Sequence, residues 1–154
     1  MTRVRGARAQ DLDVVAALWT LLAEHHSGLP ALAPAPGAGG AVRDHLGVLL
    51  RDADAALLVA ERDGAIVGFG VARVLRRPPL FAETARGEIE ALYVREEQRR
   101  SGVGRALADA MLGWLASREL RRVALQVATR NREGQGFWRA LGFRPSMDVL
   151  ERPL

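Results

Sequence analysis

Cysteine is absent from the 154 residues, which removes disulfides, thiolate zinc sites, iron–sulfur clusters and a cysteine nucleophile. Lysine is absent as well: all 22 basic residues are arginine. A phosphate loop of the Gly-x4-Gly-Lys-Ser/Thr type is therefore impossible. Aromatic residues make up only 5% of the chain, and Tyr93 is the single tyrosine. No apolar run approaches the roughly 18 residues of a membrane span. The opening Met1-Thr2-Arg3-Val4-Arg5-Gly6 has no apolar signal core, so the chain reads as cytoplasmic, with no membrane partner.

What is present is an ordinary globular balance, 49% hydrophobic and 26% charged. A chain of this size buries roughly 70% of the surface its unfolded form exposes, so it needs no staples. Residues 1–154 read as one domain, with no repeat or internal boundary. The net charge is only +4. Nucleic-acid binders concentrate a basic face, and no nucleic-acid motif occurs here, so an arginine-rich nucleic-acid binder is a remote reading. Arginines gathered at one place would instead suit a small anionic ligand.

Along the chain, Arg3 to Ala7 reads as an edge strand. Leu12, Val15, Trp19 and Leu22 recur at helical spacing, with Asp11 and Asp13 near the start, where the helix dipole favours acids. Ser27 to Gly40 is Pro-, Gly- and Ala-rich and reads as a loop. Val42 to Leu50 reads as a second helix. Ala56 to Glu61 and Ala65 to Val74 flank Asp63-Gly64, a hairpin signal. Arg76 to Gly87 contains Pro78-Pro79 and reads as a loop. Glu88 to Val94 is a strand, and a helix runs from the Gly102–Gly104 region to about Arg118. Arg122 to Val127 is a strand, Arg132 to Leu141 a helix closed by Gly142, and Met147 to Leu154 a last strand. The fold class is α/β, of the α+β type: a mixed, mostly antiparallel sheet of about six to seven strands with about four helices.

The segment Arg99-Arg100-Ser101-Gly102-Val103-Gly104-Arg105 carries the strongest chemical signal. A helix N-terminus presents unpaired N–H groups and partial positive charge, and glycine lets an anion approach the backbone. Here the first turn holds no acid and three arginines surround it. Two readings stand on these grounds alone: an anion site, or a solvated arginine turn. A dinucleotide fingerprint needs a third glycine where Leu107 stands and a turn directly after the strand. The segment does match [Gln/Arg]-x-x-Gly-x-[Gly/Ala] between strand and helix.

With that motif after Glu90-Ala91-Leu92-Tyr93-Val94, the sequence resembles the GNAT superfamily of acyl-CoA-dependent N-acyltransferases. A second match is Asn131-x-x-Gly134-x-x-Phe137-Trp138-x-x-Leu141-Gly142-Phe143, similar to the family's Asn-x-x-Ala-x-x-hydrophobic-Tyr-x-x-Leu-Gly-Phe segment. The resemblance spans nearly the whole chain and implies the family's fold, with acetyl-CoA as co-substrate, an amine as acceptor and no metal. It leaves room for a homodimer. It also implies that backbone groups of Leu92, Tyr93 and Val94 pair with the pantetheine arm like an added strand. The N–H groups from Arg100 to Arg105 would hold the pyrophosphate, with Arg99 and Ser101 in the same loop. Asn131 would touch the arm, or serve as a plain helix N-cap. Trp138 stands where the family has a tyrosine, often proposed as the acid for the departing thiolate.

Transfer from a thioester needs a neutral amine. An amine of pKa about 10.4 is neutral in roughly one molecule in 2,500 at pH 7, a cost of about 4.6 kcal/mol, so a base matters. Glu88 and Glu90 are two residues apart and share a strand face. Carboxylates that close favour a shared proton, which suits a base; the plainer reading is an exposed residue or an arginine partner. Indole does not ionise usefully, and in a regular strand Tyr93 lies on the face opposite both glutamates. The expectation is thus a protein without a phenolic acid. His25 and His26 point about 100° apart on a helix, His45 stands alone, and none has metal spacing. These, with Trp19 and Trp114, read as surface or packing residues. Two substrate loops, Gly28 to Gly40 and Arg76 to Gly87, would line the acceptor entrance, with a small molecule as the favoured acceptor. A CoA-binding sensor without turnover is the alternative.

Overall fold

The computed structural model describes residues 1–26 and 28–154; Ser27, at the head of the expected loop, lies outside them. Five strands form one sheet: β1 (Arg3–Gly6), β2 (Ala55–Arg62), β3 (Ala65–Arg76), β4 (Ala85–Val94) and β5 (Val123–Leu125), paired in that order. The first four are antiparallel neighbours and β5 runs parallel to β4. Four helices accompany them: α1 (Leu12–His25), α2 (Gly39–Arg51), α3 (Val103–Ala116) and α4 (Arg132–Ala140).

The expectation of a mixed, mostly antiparallel sheet with four helices is met, but with five strands among the described residues instead of six to seven. The strand expected over Arg122 to Val127 shrinks to three residues, because its pairing with β4 ends at Ile89↔Leu125. Residues 147–154 form no strand; Met147, Val149, Leu150 and Leu154 are exposed. They do not pair with β5, which offers only three residues and is already bonded to β4 on one side. The β2–β3 turn is the expected one: Asp63 and Gly64 both take positive φ, 51° and 78°, as a two-residue hairpin requires.

The two sheet faces are covered by different helices. Leu12, Val15 and Leu18 of α1 and Leu46 and Leu49 of α2 pack on Phe69, Val71, Ala91 and Tyr93. On the other face, Val103, Leu107, Ala108, Met111 and Leu115 of α3 cover Ala60, Ala72, Ile89 and Val94. Small residues on β3 let α3 lie close. A Cβ on Gly70 would sit 2.8 Å from the Met111 sulfur, and one on Gly68 3.2 Å from the Leu107 side chain. No described helix is long and apolar enough to cross a membrane.

One charged network ties β1 to the start of α1 and to β2. Arg5 donates to Asp11 at 2.7 and 3.2 Å and to Glu61 at 2.6 and 2.9 Å. Asp11 is buried and also accepts from the Arg8 N–H at 2.7 Å. The hydrogen bond from Arg5 holds the Asp11 and Glu61 carboxyls below their ordinary values. Asp11→Asn should therefore lower the unfolding free energy at pH 7 by about 2 kcal/mol in urea titration. Because the folded value lies below the unfolded one, that contribution is complete above about pH 5 and fades as pH falls below about 4. The gap between the wild-type protein and Asp11→Asn should close over the same interval. A gap that does not narrow at all as pH falls below about 4 would assign Asp11 a role through shape instead of charge.

Candidate active site

The site is built around an irregularity in β4. Opposite β3, Ala91 pairs with Val71 and Ile89 with Ala72, so Glu90 is an extra residue with no partner. Such a bulge resets the alternation of side chains and re-aims the residue at its centre. Ile89 accordingly packs toward α3, while Ala91 and Tyr93, two and four positions on, pack toward α1 and α2. Arg73, two residues beyond Val71 on β3, shares the α1–α2 face and is the register partner of Glu88. Glu90 reaches the same face, touching Arg73 and His45 of α2. Glu88 and Glu90 thus share a face, as the sequence predicts. The expectation for Tyr93 is overturned: the extra residue brings it to the face of the glutamates.

The same irregularity leaves one edge of β4 open. Pairing with β5 stops at Ile89, so the second half of β4, including Leu92, Tyr93 and Val94, has no strand neighbour on that side among the described residues. Parallel strands that part in this way expose backbone donors and acceptors to an extended ligand. Arg99 occupies one of them, donating from Nε to the Val94 carbonyl at 3.1 Å while its guanidinium lies 5.5 Å from the Tyr93 ring centre.

Beyond Val94 the chain makes a short 3₁₀ turn, Glu96–Gln98, and enters α3 through an unusual backbone. Arg100 and Gly102 have φ of 58° and 88°. Ser101 hydroxyl donates to the Gln98 carbonyl, and α3 has neither a side-chain cap nor an acid in its first turn. Among the described residues, the six N–H groups of residues 100–105 donate to no protein acceptor. Alternating left- and right-handed residues with free N–H groups make an anion-binding concavity. A Cβ on Gly104 would lie 3.6 Å from Phe137 of α4 and 3.7 Å from Val94, so these two side chains close the floor of this corner. Val103 is buried beneath it. Of the flanking arginines, Arg105 is drawn to Asp109 at 3.1 Å and Arg99 to Val94, and Arg100 is exposed.

The glutamates are not a bare carboxylate pair. Glu90 lies 3.5 Å from His45 Nε2 and 3.5 Å from Arg73 Nη1; Arg73 also lies 3.8 Å from Asp52, and Glu88 lies 3.8 Å from Arg86. The Nε atoms of Arg73 and Arg86 are buried without an acceptor, a state that costs about 1–3 kcal/mol for each unmatched donor. Trp19 packs between Phe69 and His45, with ring centres 5.8 Å from each. Sequence reasoning missed His45, Arg73 and Arg86 as neighbours of the glutamates. Each belongs to a separate element, and only the register of β3 with β4 and the docking of α2 bring them together.

Asn131 is the N-cap of α4, its Oδ1 accepting from Gly134 N–H at 2.9 Å. A Cβ on Gly134 would lie 2.5 Å from Asn131 Nδ2, so glycine makes room for the cap. Trp138 is buried in the cluster of Ile89, Met111 and Leu115, edge-on to Phe137 and Phe143. His25 and His26 stand at the end of α1 and, with Leu29, face the turn carrying Asn131 across a cleft of about 420 Å³. Burial and the neighbouring His25 push the His26 imidazole below its ordinary value. The second expected entrance loop is anchored by Glu83, which Arg122 grips at 2.7 and 3.0 Å. Trp114 is half-buried under the Arg118 guanidinium.

A family model for the acetyltransferase (GNAT) family matches residues 19–143. A mycothiol acetyltransferase of Thermobispora bispora is 39% identical over 102 residues, 64% of this chain and 33% of that protein. The chain therefore spans about a third of the length of that curated relative. A Bacillus halodurans crystal structure superposes with a TM-score of 0.86 at 23% identity, covering 99% of each chain. A predicted acetyltransferase of Clostridium acetobutylicum, solved with acetyl-CoA, gives a TM-score of 0.81 at 16% identity, covering 99% of this chain and 96% of that one. At these identities the two structures establish the fold.

The cap at Asn131 has a direct check. Asn131→Ala should lower stability by about 1 kcal/mol and Asn131→Asp, which keeps the acceptor oxygen, by much less. Equal urea midpoints for Asn131→Ala and the wild-type protein would remove the capping role.

Proposed function

Since the chain belongs to the GNAT acetyltransferase family, we propose that it transfers an acetyl group from acetyl-CoA to the primary amine of a small-molecule acceptor. The observation that carries this reading is the run of six N–H groups at residues 100–105, without protein acceptors, beside the open edge of β4. A pyrophosphate satisfies the first and an extended amide-bearing arm the second. Leu92 and Tyr93 supply backbone groups to the arm; at Val94 the arm shares the carbonyl with Arg99 or displaces it. Asn131, which caps α4 and lines a cleft with His25, His26 and Leu29, touches the arm from the turn after β5.

In the reaction the amine nitrogen attacks the thioester carbonyl carbon. The C–N bond forms, the C–S bond breaks with its electron pair left on sulfur, and one proton leaves the nitrogen. Glu90, aimed by the bulge and next to His45, receives that proton directly or through water, with Glu88 as the second carboxylate on the face. Trp138 donates no proton. Protonating a thiolate of pKa near 8.5 at pH 7 is worth only about 2 kcal/mol, less than half the amine cost, so departure as thiolate is tolerable.

Binding and chemistry are tested separately. Gly102→Asp places a negative side chain in the corner, where a Cβ meets nothing within 4 Å; the φ of 88° strains any side chain there, so Gly102→Ala, equally strained but uncharged, is the control. Calorimetry should show acetyl-CoA affinity falling at least tenfold, about 1.4 kcal/mol; unchanged affinity would sink the pyrophosphate assignment. With an acceptor in hand, Glu90→Gln or Glu88→Gln should slow turnover near pH 7 and recover part of it at high pH, where more of the amine is neutral. Wild-type pH–rate profiles in both variants would mean that the amine loses its proton to bulk water.

A further inference from the structure

The charged face beside Glu90 carries more than a base. Arg5, Arg76 and Arg122 each fork onto a carboxylate with hydrogen bonds of 3.2 Å or less. Arg73 and Arg86 do not. Their contacts with Glu90, Asp52 and Glu88 are all 3.5–3.8 Å, and both Nε donors are buried without an acceptor. Arg73 straddles Glu90 and Asp52 with its two terminal nitrogens at 3.5 and 3.8 Å, longer than hydrogen bonds, and its side chain is 34% exposed, so the terminal N–H groups are open to a closer acceptor. The planar end of a guanidinium receives two coplanar oxygens.

Resting on the acetyltransferase reading, we propose that the acceptor carries a carboxylate beside its amine, and that Arg73 and Arg86 hold this carboxylate while Glu90 and Glu88 face the amine. The acceptor class is the α-amino acid. Arg73 is the register partner of Glu88 and lies 3.5 Å from Glu90, so the cationic and anionic sub-sites are adjacent, as the two charges of an amino acid are. An amine without the carboxylate would bring a positive charge against two arginines whose donors stay unmatched. A peptide N-terminus offers a neutral carbonyl there, one oxygen where the guanidinium edge receives two.

The test offers the protein and acetyl-CoA three matched sets of acceptors: the common α-amino acids, their carboxamides, and the amines left by removing the carboxylate. Release of the CoA thiol and mass spectra of the products are the readouts, with calorimetry of acetyl-CoA run alongside. At least one amino acid should exceed its own carboxamide and its decarboxylated amine in kcat/KM by tenfold or more, through KM. Arg73→Gln should cut that acid-to-amide ratio at least tenfold, and Arg73→Lys, which keeps the charge but not the fork, should restore only part of it. A variant that merely loosened the fold would slow all three sets alike and leave the ratio in place, which counts against the proposal. Carboxamides or simple amines preferred over acids, or no acetylation in any set by a protein that binds acetyl-CoA, would overturn it. Failure to bind acetyl-CoA would instead overturn the reading on which it rests.

Discussion

One extra residue in β4 organises the site. Glu90 has no partner on β3, and the open edge of β4, the exchange of its faces and the contacts with His45 and Arg73 all start at that interruption. On one side of β4, pairing with β5 ends at the residue before it. Along the strand, the faces exchange: Ile89 packs toward α3 while Ala91 and Tyr93 pack toward α1. An unbulged strand would keep Glu90 on the face it shares with Glu88 but turn Ala91 and Tyr93 according to strict alternation, away from where Ala91 packs. The bulge lets one strand serve two purposes, a buried partner for both helix layers and an open edge with a carboxylate at its head.

A second constraint is the uneven matching of arginines. In a chain without lysine, structural and functional cations are the same residue type, and geometry separates them. Arg5, Arg76 and Arg122 close onto carboxylates with short hydrogen bonds, and those bonds hold Asp11, Asp54 and Glu83 below their ordinary values. Arg73 and Arg86 are held at longer range with buried donors left over. The same contrast appears in the backbone: the entry to α4 is capped by Asn131, whereas the entry to α3 has no cap and six N–H groups without an acceptor. Unmet donors are costly in a folded protein, so at both places an added acceptor would be stabilising.

Much of this was legible in the residues. The hairpin at Asp63-Gly64, the helices of the second half, the acid-free glycine entry to α3 and the cap at Asn131 are local matters of turn chemistry, periodicity and capping, and the structure has them where the sequence predicts. The strand count was less legible: residues 147–154 carry strand-like composition, but a strand exists only when an edge accepts it. The bulge left no mark at all, since Glu88 to Val94 has the pattern of a regular strand.

What the sequence determined by itself is the set of local conformations and the chemical inventory: which backbone groups lie free at residues 100–105, and which side chains can bind an anion or take a proton. Tertiary structure alone decided which way β4 faces after Glu90, that Tyr93 shares the face of the glutamates, and that His45 of α2 and Arg73 of β3 stand beside Glu90. The physical reason is range. Capping and turn preferences act over about four residues, whereas strand register and helix docking are settled by side chains that meet from distant parts of the chain.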